Sequence, residues 1–148
     1  MVRYTHRQTS VRTMLIFLVF AVAVAAAVPF LVVATGSKPA PLLVPIGVLV
    51  IVAATSVIFS TLIVEVTDVA VEFGFLFGAM RRHIPRSEIV RVERSHLGWW
   101  WGIGARYGWK TIAYVVWPGP AVLLVLANGR TVRIGTDDAD ALLAALQR

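Results

Sequence analysis

Two long uncharged runs dominate the amino-terminal part of this 148-residue chain. Residues 13–37 and 39–64 contain no acidic, basic or histidine side chain, and only Lys38 separates the two runs. Each run exceeds the roughly 20 residues with which an α-helix crosses about 30 Å of hydrocarbon. The runs therefore predict a transmembrane helical hairpin, with helices over about 14–34 and 42–63.

Basic residues indicate how this hairpin is oriented. Arg3, Arg7 and Arg12 precede the first run, and positive residues beside a membrane span are retained on the cytoplasmic side. Residues 1–12 are thus predicted to be a basic cytoplasmic amino terminus, and the second helix returns the chain to the same side. We expect a multi-pass protein of the cytoplasmic membrane with both termini inside.

Two features of the first run leave alternatives open. The stretch Ala23-Val24-Ala25 is typical of a signal-peptide cleavage site, although the apolar run continues through Val33. Ala21 and Ala25, at i,i+4 spacing, give a smooth helix face for close contact. This face either packs on the second helix or serves a homo-oligomer.

The charge distribution argues against a nucleic-acid-binding protein. The net charge is +6, but the first 64 residues carry four basic residues and no acid, whereas the remainder carries ten basic and eight acidic residues. Much of the excess is therefore a topology signal and not a phosphate-binding face. The absence of cysteine excludes disulfides, thiolate metal sites and cysteine nucleophiles.

The period of the sequence changes from helical to two after residue 64. Apolar and polar or small residues alternate in 69–75 and 89–95, which is the pattern of half-buried strands. Asn128-Gly129, between two apolar runs, predicts a hairpin with a type I′ turn. Because the connections are too short for parallel crossovers, we predict an antiparallel meander.

A short terminal helix is predicted to close this domain, which spans 65–148. Asp137, Asp138 and Asp140 favour a helix amino terminus, and the leucines that follow must dock on the sheet because a helix this short is unstable alone. The predicted fold class is α+β: a two-helix transmembrane hairpin followed by a small antiparallel β-barrel or sandwich of about seven strands, closed by a C-terminal helix.

This order of elements resembles the bacterial domains of the pleckstrin-homology (PH) superfold that follow a two-helix membrane hairpin. The motifs that carry the resemblance are Phe77-Gly78, Ile84-Pro85-Arg86-Ser87-Glu88-Ile89, Gly102-Ile103-Gly104-Ala105-Arg106, and residues 128–138 leading into the last helix. The resemblance implies a PH-like, non-enzymatic, membrane-associated domain, often without an assigned ligand. It identifies no catalytic residue.

Residues 97–110 form the most unusual stretch, because they hold four of the five tryptophans. Tryptophan favours the membrane–water interface, and nearby cations can meet lipid phosphates. The stretch therefore predicts membrane-interface contact, with packing inside the barrel or a protein-partner site as alternatives. The residues concerned are Trp99, Trp100, Trp101, Arg106, Trp109 and Lys110.

Arg81 and Arg82, followed by His83 and Arg86, form a second candidate. They could contact anionic headgroups, although solvated strand edges commonly carry charge without any ligand.

No constellation in the sequence predicts catalysis, a metal site, a cofactor or a small-molecule substrate. His6, His83 and His96 fall in different predicted elements, and no nucleophile has a recognisable base. We expect a non-catalytic, membrane-anchored interaction or scaffolding module whose partners are the lipid bilayer and a homo-oligomer or other membrane proteins. The alternative is a domain that contacts anionic lipid through the tryptophan-rich stretch and the basic residues.

Overall fold

The computed structural model describes residues 2–36 and 43–147. The turn predicted between the two apolar runs falls mainly on 37–39, outside the described residues. The helices are α1 (Val11–Ala34), α2 (Leu43–Phe59) and α3 (Ala139–Gln147). The strands are β1 (Val2–Thr9), β2 (Thr61–Thr67), β3 (Ala70–Phe75), β4 (Arg82–Pro85), β5 (Ile89–Leu97), β6 (Gly104–Tyr107), β7 (Thr111–Val115), β8 (Gly119–Leu126) and β9 (Thr131–Gly135).

The helix α1 has the length and composition shared by membrane spans and signal sequences. Its 24 residues extend over about 36 Å, and its most apolar window is Val11–Val28. The helix α2 is equally apolar but shorter, with 17 residues. Among the described residues, α1 is thus the one helix that meets both criteria. The predicted extension of the second helix to Ile63 is wrong, because β-branched Thr61 already begins a strand.

The two long helices pack along each other and leave most of their apolar surface uncovered. Ala21 is buried and Ala25 is half-buried, whereas Ala23 and Ala27 are exposed. Such a surface is unusual for a protein surrounded by water. The large apolar side chains exposed on α1 and α2 include Leu15, Leu18, Val19, Phe20, Phe30, Val50 and Ile51.

The strands form two sheets, with the orders β1-β2-β3-β4 and β5-β8-β9-β7-β6. The expected closed barrel is wrong, since each sheet has open edges; the sandwich alternative describes the arrangement. The purely antiparallel prediction is also wrong, because β9 returns from the β8 hairpin to lie parallel to β7. Here a strand, and not a helix, supplies the crossover between two parallel neighbours.

The strand β1 was not predicted from the sequence. The basic segment before α1 pairs antiparallel with β2 from Val2 to Thr9, so the first sheet includes residues on both sides of the helices. Tyr4, His6 and Gln8 alternate with more exposed neighbours, which is a period-two pattern hidden by the charges.

The hydrophobic core lies between the two sheets and beneath α3. Phe73, Phe75 and Tyr114 are buried at its centre, where Tyr114 stacks on Phe75 with ring centroids 5.6 Å apart. Leu142 and Leu146 of α3 are buried against this core, as the leucine pattern predicts.

The predicted turn before β9 is borne out in part, and the chain enters a helix after β9 as expected. Antiparallel pairing of β8 with β9 confirms the hairpin at Asn128-Gly129. The type I′ assignment is wrong, because only Gly129 adopts a positive φ there, at 75°. Before α3, the Asp138 amide donates to the Thr136 hydroxyl at 3.1 Å, and the Leu142 amide closes the first turn of the helix on the Asp138 carbonyl oxygen at 3.2 Å.

Candidate functional site

The helices join the sheets through very short connections. Ser10 alone separates β1 from α1, Ser60 alone separates α2 from β2, and the Ser10 amide donates to the Ser60 carbonyl oxygen at 2.9 Å. The buried Thr13 hydroxyl donates to the carbonyl oxygen of Val116, the residue directly after β7 of the second sheet, at 2.6 Å. The helix pair is therefore fixed to both sheets at one place, which we call the base of the helices.

Two tryptophans and an arginine lie together at this base. Arg12, in the first turn of α1, places its guanidinium carbon 5.6 Å from the centre of the Trp117 ring. Trp99 packs edge-on against the same ring, with centroids 5.0 Å apart, and remains 67% exposed. The short 3₁₀ turn Trp99–Trp101 therefore lies beside the start of α1. Trp117 was not among the predicted site residues.

A second exposed aromatic residue approaches the base from the other sheet. Phe77 lies in the short turn Leu76–Gly78, which packs beside α2, and 85% of Phe77 is exposed. Its φ of 59° is uncommon for a bulky residue, so the turn holds this ring in place at some conformational cost. We call Phe77, Trp99, Trp100 and Trp117 together the basal aromatic surface.

The three consecutive tryptophans have different surroundings. Trp100 is 100% exposed, whereas Trp101 covers a small apolar cluster on the outer face of the second sheet. The guanidinium of Arg133 lies 5.1 Å from the Trp101 ring centre. The structure thus places Trp101 in a packing role and leaves Trp99 and Trp100 open to the surroundings.

The remaining members of the tryptophan-rich stretch lie elsewhere. The hairpin of β6 and β7 starts at the base, where the Cβ position of Gly104 is 3.7 Å from the Phe59 ring, and runs away from it. Trp109 and Lys110 are at its tip, more than about 10 Å further along the strands. Trp109 is 95% exposed. Arg106 folds back along the hairpin, so that its guanidinium lies beside Gly102 near the base.

The basic residues in and beside β4 also lie on different surfaces. Arg81 and His83 contact the Glu72 carboxylate on the outer face of the first sheet. Hydrogen bonds from His83 and Arg81 lower the pKa of Glu72. Arg82 lies instead at the opening between the two sheets, and Arg86 binds the carboxyl end of α3. Arg81 and Arg82 therefore do not form one surface.

Within residues 2–36 and 43–147, no group of three histidine or acidic side chains is arranged to hold a metal ion. Asp137 pairs with His6 at 2.6 Å, and Asp138 accepts from the Tyr4 hydroxyl at 3.4 Å, so both acids link α3 to β1. No family model, curated protein or solved structure matches this chain. The candidate functional surfaces of the described residues are therefore the basal aromatic surface and the exposed tip of the β6–β7 hairpin.

Proposed function

We propose that the chain is a non-catalytic interaction module, anchored in a membrane by its helical hairpin and resting on the membrane surface through the basal aromatic surface. The observation that carries this proposal is the position of exposed Trp99, Trp100 and Phe77 around the base of two apolar helices. Aromatic rings at the ends of membrane spans are typical of the interface, where the ring is apolar and its polar edge stays hydrated. Removing roughly 100 Å² of ring surface from water contributes about 2.5 kcal/mol.

In this proposal both long helices cross the bilayer and both termini are cytoplasmic. The uncharged run that contains α2 begins at residue 39 of the sequence, four residues before the start of the helix. Arg3, Arg7 and Arg12 lie on the domain side of the helices, in agreement with retention of positive charge inside. Cleavage of α1 as a signal sequence would remove β1 from the first sheet, which supports an intact hairpin.

The PH-like character of the domain is part of the proposal. Two packed sheets with a C-terminal helix support it. The parallel pairing of β7 with β9 departs from the antiparallel meander that the resemblance was built on.

The tip of the β6–β7 hairpin is the proposed contact with a partner protein. An exposed tryptophan directed away from the membrane has no lipid to contact, and tryptophan is enriched at the energetic centres of protein interfaces. Trp109 is in this position, with Tyr107 also exposed beside it.

Contact with anionic lipid is the second candidate function. It is favoured by Arg12 beside Trp117 and by the guanidinium of Arg106 beside Gly102, because both cations lie near the base, where headgroup phosphates would be found.

In-cell photo-crosslinking of the full-length protein tests the proposal. A photoreactive amino acid replaces Trp109, Trp100 or, as a control on another exposed turn, Val69. We expect a discrete protein adduct at Trp109, lipid adducts at Trp100 and neither at Val69. Lipid adducts at all three positions would exclude the protein-partner role, and protein adducts at Trp100 alone would place the partner at the base.

A further inference from the structure

The two sheets separate at one side of the sandwich, between β4 and β7, and leave a cleft of about 110 Å³. The floor of this cleft belongs to the hydrophobic core, so a ligand entering it would contact side chains that are buried or, for Ile112, half-buried. These are Phe73, Ile84, Ile112, Tyr114, Leu126 and Val132.

The rim of the cleft carries an excess of positive charge. Arg82 enters from β4 and Arg130 from the turn before β9, and Asn128 adds an amide. Across the part of the chain that the structure describes, neither guanidinium forms an ion pair with a carboxylate. Among the described residues that line the cleft, Glu88 is the one acid, so two arginines and one glutamate leave a net positive charge there.

An apolar floor beneath two guanidinium groups that pair with no carboxylate of the described residues fits a ligand with an apolar body and an anionic head. Guanidinium groups bind carboxylates through paired, charge-assisted hydrogen bonds. An enclosed apolar cavity of about 150 Å³ accepts a whole benzene molecule. This cleft is smaller, at about 110 Å³, but it is open at its mouth, so a single ring or a short chain can insert into it while the polar head stays at the rim. We propose that the cleft binds a small carboxylate whose body is a single aromatic ring or a short aliphatic chain.

The test uses the full-length protein in lipid nanodiscs and 4-fluorobenzoate as the probe, observed by ¹⁹F NMR. We expect saturable binding to the loaded nanodiscs at millimolar or lower concentration and none to empty nanodiscs. The neutral analogue 4-fluorobenzyl alcohol should bind at least about tenfold more weakly, because it lacks the charge-assisted hydrogen bonds. Equal binding of the acid and the alcohol would overturn the proposal.

Three variants localise the binding. Arg82→Gln and Arg130→Gln should each raise the Kd by about tenfold, and Ile112→Phe should abolish binding by filling the floor. Lys110→Gln removes an exposed cation that does not line the cleft and should leave the Kd unchanged. Circular dichroism shows whether each variant keeps its fold.

Unchanged binding in both folded arginine variants, or no saturable binding by the unmodified protein, contradicts the assignment. This inference is independent of the proposed role of the basal aromatic surface.

Discussion

Arg86 is the residue that ties the turn after β4 to the end of α3. Its guanidinium donates to the carbonyl oxygens of Ala145, at 3.2 Å, and Leu146, at 2.7 Å, where a helix carries free carbonyls and a partial negative charge. We expect Arg86→Ala to lower the free energy of unfolding by about 2 kcal/mol. Denaturant unfolding of the full-length protein in micelles, followed by tryptophan fluorescence, measures this loss.

The matched control for Arg86 is Arg91→Ala. Arg91 is exposed and pairs with Glu93 on its own strand, so its removal should cost below about 0.5 kcal/mol. Equal losses in the two variants would show that the capping contacts contribute nothing specific.

Two tyrosines make the stability of the domain depend on pH in the alkaline range. Burial, with the Asp138 carboxylate as the next cause, raises the pKa of Tyr4 to about 12, and burial raises that of Tyr114 to about 12. The ordinary pKa of tyrosine is about 10, so the folded state holds both phenolic protons more tightly than the unfolded chain. Their stabilisation is complete below about pH 10 and is lost as the pH rises to about 12.

Unfolding midpoints measured between those pH values test this sign. The double variant Tyr4→Phe, Tyr114→Phe should lose less stability over that interval than the unmodified protein. A steeper loss in the variant would contradict the raised pKa values.

At the residue scale, sequence patterns located only part of the candidate site. Trp99 and Trp100 stood out because tryptophans are adjacent there. Phe77 and Trp117 are distant in sequence, and only the packing of two sheets around the helices brings them to the same base. Trp101 is indistinguishable from Trp99 and Trp100 in the sequence, but its ring packs on an apolar cluster whose members come from distant strands.

Among the elements, β1 has the clearest test. Thr9 is opposite Thr61 in the register of β1 with β2, and their hydroxyl oxygens are 3.1 Å apart. Because the chain has no cysteine, Thr9→Cys with Thr61→Cys gives a single possible disulfide. We expect it to form readily under mild oxidation. Thr5→Cys with Thr61→Cys, displaced by four residues in the register, should remain reduced.

A disulfide between positions 5 and 61, with none between 9 and 61, would contradict the register of β1 with β2. The outcome matters beyond the strand, because β1 also carries Tyr4 and His6, which contact the acids at the start of α3.

Element prediction succeeded where the signal was local. The Asn128-Gly129 hairpin and the leucine stripe of α3 follow from residues within a few positions of one another. The parallel pairing of β7 with β9 is not local, because β9 inserts between β8 and β7 in the sheet. That position depends on how the strands pack on the shared core and not on residues close in sequence. The strand β1 is not evident from the sequence, because its arginines also fit the charge pattern of a segment that precedes a membrane span.

At the scale of the whole molecule, the hairpin proposal predicts that the connection between the two helices and the carboxyl terminus lie on opposite sides of the membrane. Single cysteines at Ser37 and Gln147 should react with a membrane-impermeant maleimide from opposite sides of sealed, oriented vesicles. Reaction of both from the same side would contradict a two-span topology. Because native cysteine is absent, any labelling reports the introduced residue.

The most direct measurement compares two exposed tryptophans at opposite ends of the domain. Trp100→Cys and Trp109→Cys, each carrying a nitroxide, are placed in the full-length protein in nanodiscs. The position of the basal aromatic surface predicts that the label at 100 collides mainly with lipid-soluble oxygen, while the label at 109 collides mainly with a water-soluble nickel chelate. Equal, aqueous accessibility at both positions would contradict a domain that rests on the membrane through its basal aromatic surface.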